Sequence, residues 1–154
     1  VRFFLVDRIT CLKRFAFAEA VKCISLADDC FEHHFPGQPV YPGALLIESM
    51  AQLGGALMEI SLRKEGEPLP RCVLSKVDAK FRDFACPGDQ LILRAEVVSH
   101  HPDSARLRVT VKRGDQRLAE AEIIYIVLRI EDAALEASRR QYLDIITRGA
   151  RFED

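Results

Sequence analysis

The stretch His34–Gln52, HFPGQPVYPGALLIESMAQ, constrains this chain more than any other. It begins with one titratable imidazole, runs through three prolines and two glycines, and ends in the most apolar run of the sequence. Pro36, Pro39 and Pro42 fix φ and remove backbone donors. Gly37 and Gly43 permit turns and close backbone approach. Such a segment is a stiff, irregular loop that finishes by launching a helix. Pro42 suits the first turn of that helix, where its missing N–H costs nothing.

Helical periodicity continues to Arg63 or Lys64. Leu45, Leu46, Ile47, Met50, Leu53, Leu57, Met58 and Ile60 cover most of the circumference, and a helix that is apolar nearly all round is a buried one. At roughly 20 residues it is about 30 Å long, the width of a small domain. Its polar exceptions are informative. Glu48, Gln52, Gly55 and Glu59 follow i, i+4, i+7, i+11 spacing and share one face. Gly54 and Gly55 thin the helix where another element can approach. Glu48 lies among Leu46, Ile47 and Met50, and a carboxylate there needs a partner or a task.

The rest of the chain reads as a sheet around that helix. Ile9 to Phe15 and Phe17 to Leu26 precede it as two strands. After Gly66–Pro70 the period changes to two. Cys72 to Phe81 alternates, with Val73, Ser75, Val77, Ala79 and Phe81 on one side. Gln90 to His100, Arg106 to Lys112 and Leu118 to Ile130 follow, joined by turns at Phe84–Asp89, His101–Ser104 and Arg113–Asp115. Four strands on short turns after one buried helix give a mostly antiparallel sheet wrapped on it, an α+β fold. Residues 131–154 differ. Glu131 to Arg148 is charged and helix-favouring, with Leu135, Tyr142, Ile145 and Ile146 on one stripe, and Gly149 to Asp154 reads as a frayed end. The division expected is a main domain over 1–130 with a C-terminal helical extension over 131–154.

Composition removes several classes. With 22 basic against 23 acidic residues, nothing suggests nucleic-acid binding. Glu48 interrupts the longest apolar run, so no membrane insertion is expected, and the N-terminus shows no basic-then-apolar signal pattern. Five irregularly spaced cysteines read as free thiols in a reducing cytoplasm rather than a disulfide framework.

Imidazole is a natural base near neutral pH. Gly43 opens the helix, so its backbone N–H is an unpaired donor at the positive end of the dipole.

The pattern HFPGxPxxPGxLxxExxAQ at His34–Gln52 resembles the active-site signature of the (3R)-hydroxyacyl-(acyl-carrier-protein) dehydratases of the FabZ type. Phe4–Arg8 resembles that family's opening LLVDR. Val77–Arg82 followed by Pro87–Asp89 resembles its ID-x-ARFK…PGD segment. The likeness runs in order over residues 3 to 129. It implies a hotdog fold, a curled antiparallel sheet around a long central helix. It implies His34 as catalytic base, Glu48 as the acid or the group orienting the leaving water, and Gly43 as thioester anchor. Phe35, Tyr41 and Pro42 would border the substrate, with Tyr41 gating the acyl tunnel. It implies a homodimer, or a trimer of dimers, with His34 and Glu48 of one site coming from different subunits. No metal or redox cofactor is implied. The partner implied is acidic acyl carrier protein, with Lys76, Lys80 and Arg82 as candidates to meet it.

There are departures. His33 stands where the family usually has Gly, and Asp83 and Phe84 replace the usual basic residue and proline. Two alternatives accompany the main reading: a non-catalytic acyl-carrier-binding subunit of the same fold, and a coenzyme-A-linked hydratase or thioesterase.

Overall fold

The computed structural model describes residues 3–154. The order of elements is β1 (Arg8–Lys13), β2 (Phe17–Cys23), a short 3-10 turn (Asp29–Glu32), α1 (Gly43–Leu62), β3 (Pro70–Phe81), β4 (Gln90–His101), β5 (Ser104–Arg113), β6 (Gln116–Arg129), α2 (Ala133–Ile146) and β7 (Arg151–Glu153). The strands form one sheet in the order β3-β6-β5-β4-β2-β1-β7. Every pairing is antiparallel except β1 with β7.

The sheet curls around α1 because its inner face is apolar at every second position. Leu91, Leu93 and Ala95 of β4, Leu107, Val109 and Val111 of β5, and Ala119, Ala121, Ile123 and Tyr125 of β6 are buried against the helix. Register aligns them across strands, with Val109 opposite both Ala95 and Ala121. Met50, Leu53, Leu57 and Met58 of α1 are fully buried in return, each contributing about 1.5–3 kcal/mol of transfer free energy. By length and composition α1 could cross a membrane, but it is mostly buried as the core of this fold.

Several boundaries differ from the sequence reading. β1 stops at Lys13, because Phe15 takes a positive φ of 57° in the turn to β2. β2 stops at Cys23, where Ile24 donates to the Asp89 carbonyl instead of a strand partner. β4 continues through His101, so this histidine ends the strand rather than opening the turn. β3 carries a bulge between Leu74 and Lys76. The extra residue reverses the inside-outside phase. Val77 and Ala79 pack inward as expected, but before the bulge Cys72 packs inward and Val73 is exposed.

The tail departs most. Tyr142, Leu143 and Ile146 of α2 are buried, whereas Leu135 and Ile145, expected on the apolar stripe, are half exposed. Asp132 caps the helix by accepting from the N–H groups of Ala134 and Leu135 at 3.0 Å. The last residues are not frayed. Arg151–Glu153 pairs with Cys11–Lys13 as the outer strand of the sheet. All three of those residues are exposed, so no apolar periodicity marked them.

Candidate active site

His34 is fixed by its own loop. Its N–H donates to the Cys30 carbonyl, its carbonyl accepts from the Val40 N–H, and its Nδ1 lies 2.7 Å from the Val40 carbonyl. A carbonyl can only accept, so Nδ1 carries a proton and, in the neutral ring, Nε2 carries the lone pair. The ring stacks on Phe35 with centroids 3.9 Å apart, and the peptide between the two residues is cis.

The imidazole lines a cavity of about 420 Å³ together with Phe35, Tyr41, Gly43, Leu46, Phe81 and Phe84. Leu45 and Leu46 both donate to the Pro42 carbonyl, which leaves the N–H groups of Gly43 and Ala44 without intrahelical acceptors. The Phe81 ring packs on Gly43 so closely that a Cβ there would lie 3.2 Å from its Cζ. Tyr41 is buried. Its N–H donates to the Ala85 carbonyl, and burial pushes its phenol up to about 12. Phe35 and Phe84 are exposed at the rim.

Glu48 does not meet His34 in this chain. It lines a separate groove of about 260 Å³ with Gln52, Gly55 and Glu59, the shared helix face read from the sequence. Gln52 orders that groove. Its Oε1 accepts from the Leu5 N–H at 2.8 Å, and its Nε2 donates to the Phe3 carbonyl at 2.8 Å and to Glu48 Oε1 at 3.0 Å. The N-terminal segment thus holds the amide that holds the carboxylate.

Glu59 was not singled out as a functional residue. It is buried, and its oxygens accept from the Cys72 N–H at 3.1 Å and from Arg139 Nε at 2.7 Å, with Arg71 Nε 3.5 Å away. Arg139 comes from α2. The signal available in sequence was Glu59's place on the Glu48 face; the partner eighty positions on left no spacing to find it by. Burial first, and then Glu59, push the adjacent Cys72 thiol up to about 12.

The basic candidates divide. Lys76 and Lys80 are exposed on the outer face of β3 with Asp78 between them. Arg82 is engaged with Glu120 at 2.7 Å, a carboxylate it shares with Arg117. Asp83 is structural. It accepts from the Phe84 N–H at 2.8 Å and from Arg113 at 3.2 Å. Among the described residues no group of three or more His, Cys, Asp or Glu side chains is arranged to hold a metal ion.

The family described as the FabA-like domain matches residues 1–126. The 3-hydroxyacyl-(acyl-carrier-protein) dehydratase FabZ of Sulfurovum sp. (strain NBC37-1) is 37% identical over 125 residues, covering 79% of this chain and 84% of the relative. The FabZ of Wolinella succinogenes is 39% identical over 125 residues, 79% of this chain and 83% of its own. Among solved structures, a hot-dog-like protein from Thermanaerovibrio acidaminovorans superposes with a TM-score of 0.62 at 16% identity, covering 91% of this chain and 93% of that one. A Streptococcus mutans protein, smu.793, solved bound to acetyl CoA, gives 0.65 at 16% identity over 86% and 96% of the two chains. At that identity the structural likeness establishes the hotdog fold alone.

Proposed function

The chain belongs to the FabA-like family, and we propose that it dehydrates (3R)-hydroxyacyl thioesters on acyl carrier protein to trans-2-enoyl thioesters, in fatty-acid or related lipid or polyketide synthesis. The observation that carries this reading is the contact of His34 Nδ1 with the Val40 carbonyl in a residue that lines the cavity. With Nδ1–H held there, the neutral ring offers Nε2 as the proton acceptor.

In the reaction, His34 Nε2 takes a proton from C2 of the substrate. The electron pair forms the C2–C3 double bond and the C3 hydroxyl leaves as water, taking its second proton from Glu48, or from the newly protonated His34 with Glu48 orienting the leaving water. Charge developing on the thioester oxygen is met by the free N–H of Gly43, aided by the α1 dipole. The separation of His34 and Glu48 into different cavities of one chain favours a site assembled from two copies, His34 of one facing Glu48 of the other. The exposed edge strand β3, with Val73 and Leu74 uncovered, supports a homodimer. The cavity rimmed by Phe35 and Phe84, with Tyr41 and Pro42 behind them, suits an acyl chain. Lys76 and Lys80, exposed and in no ion pair among the described residues, are the candidates to meet an acidic carrier protein, with Arg82 contributing less because Glu120 holds it. Five free cysteines fit a reducing cytoplasm.

The test is enoyl formation from a 3-hydroxyacyl thioester on carrier protein and on coenzyme A, with His34→Ala alongside. Dehydration on carrier protein that the substitution abolishes is the expected result. Activity on coenzyme A alone, or turnover indifferent to His34, overturns it.

A further inference from the structure

Two backbone groups orient the Gln52 amide. The Leu5 N–H can only donate and the Phe3 carbonyl can only accept, so Oε1 turns to Leu5 and Nε2 to Phe3, each at 2.8 Å. The second Nε2 hydrogen is then the donor to Glu48 Oε1, 3.0 Å away. Among the described residues this is the one hydrogen bond that the Glu48 carboxyl makes. It occupies Oε1 and leaves Oε2 as the oxygen to serve the departing hydroxyl. The placing of Glu48 therefore depends on residues 3–5 staying where they are.

From Val6 onward the chain is fixed. Val6 is buried in the core, and the Asp7 N–H donates to the Val21 carbonyl at 3.0 Å. Before Val6, the backbone hydrogen bonds among the described residues are the two to Gln52. The side chain between those two bonds is Phe4, and it lies on Tyr142 of α2 with ring centroids 4.6 Å apart and planes 19° from parallel. Phe4 is 56% exposed, so this stack is a large share of the cover it has. Tyr142 is buried and firmly seated. The Arg139 guanidinium lies over its ring at 4.9 Å and is itself tied to Glu59 at 2.7 Å. Phe4, Tyr142, Gln52 and Glu48 all line the one groove. The family match ends at residue 126, and α2 begins after it. The seat of Phe4 thus comes from the C-terminal extension.

We propose that Tyr142 is a positioning residue for Glu48, acting through the Phe4 stack and the Gln52 amide. The proposal rests on the dehydratase reading, which gives Glu48 its task. Tyr142→Ala and Phe4→Ala should each lower kcat for a 3-hydroxyacyl thioester on carrier protein by about tenfold, short of the 10²-fold that a 1 Å misplacement can cost. KM should change little, because the thioester is held in the His34 cavity. Tyr142→Phe keeps the stack and should keep kcat. Phe4→Ala removes an exposed ring, so its lost turnover at a near-wild-type melting temperature separates positioning from the mere docking of α2. In a Gln52→Ala protein, Phe4→Ala should cost nothing further. Hydrogen exchange at the Leu5 amide reads the clamp without chemistry. It should be slow in the wild type and in Tyr142→Phe, and about three- to tenfold faster in the two alanine variants, the scale of one aromatic pair. Leu5 protection that depends on Tyr142 in a protein that dehydrates nothing would sink the activity reading and leave this one standing. Leu5 protection indifferent to Tyr142, kcat unchanged in both alanine variants, or an equal cost of Phe4→Ala with and without Gln52, overturns it.

Discussion

The Tyr125 hydroxyl rests against Gly54, in the place a Cβ on that glycine would occupy, and donates to the Ala51 carbonyl one turn earlier at 2.8 Å. β6 and α1 approach this closely only because Gly54 has no side chain. Gly54→Ala should therefore force the two elements apart and strain a buried hydrogen bond, at about 1–3 kcal/mol. Its neighbour is a control. A Cβ on Gly55 meets Cys72 Cβ at an ordinary 3.6 Å, and alanine is the better helix former by about 1 kcal/mol. Urea unfolding of both variants should show a lowered midpoint for Gly54→Ala and an unchanged or raised one for Gly55→Ala.

His34 does two jobs that substitution can separate. Its Nδ1–H ties the loop to Val40, and its ring lines the cavity with Nε2 left as the candidate base. His34→Asn keeps a donor at the Nδ1 position and removes the base. It should fold with wild-type stability and lose dehydration by about 10²–10⁴-fold, the usual contribution of a general base. Steady-state rates read beside thermal melts check this, and activity within tenfold of wild type would remove His34 from the chemistry.

The loop, the helix and the glycine pair were legible because each obeys a local rule: prolines fix φ, Pro42 starts a helix, and apolar residues all round α1 bury it. The partition of Glu48, Gln52, Gly55 and Glu59 onto one face followed from helix spacing alone. What was illegible depends on contacts distant in sequence. The Ser75 bulge reverses the phase of β3 without any glycine or proline to announce it. The buried face of α2 is Tyr142, Leu143 and Ile146: Leu135 lies in the first turns, which do not reach the core, and Ile145 lies about 200° round the helix from Leu143. β7 pairs through backbone, with three exposed side chains and no apolar signal. Glu59 carries no sign of its partner in sequence, because Arg139 lies eighty positions on.

That ion pair secures the extension to the core. Arg139→Met would leave a buried carboxylate with only the Cys72 N–H and Arg71 at 3.5 Å, and losing the partner of a buried charge costs about 3–5 kcal/mol. The cost should lie near the lower bound, since those two contacts remain. Glu59→Gln in the same chain should recover part of it by removing the stranded charge. A double-mutant cycle by urea denaturation measures the coupling, and strict additivity of the two changes would show that Arg139 contributes nothing through Glu59.

Acid should loosen the rim of the His34 cavity through Asp83. The Phe84 N–H foremost, with Gln116 and Arg113 assisting, holds this carboxyl below its ordinary value. The folded protein therefore binds its proton less readily than the unfolded chain. Its contribution is fully present above the unfolded carboxylate value of about 3.9 and is lost as pH falls through the lower folded value. At neutral pH Asp83 is ionised and keeps the Phe84 backbone in place at the cavity mouth. Asp83→Asn should leave the stability nearly unchanged at neutral pH, since the site is exposed, but raise KM severalfold with kcat little altered. Carboxyl NMR should place the Asp83 midpoint below those of unengaged aspartates, and a midpoint at or above the ordinary value would mean that the Phe84 contact is not made in solution.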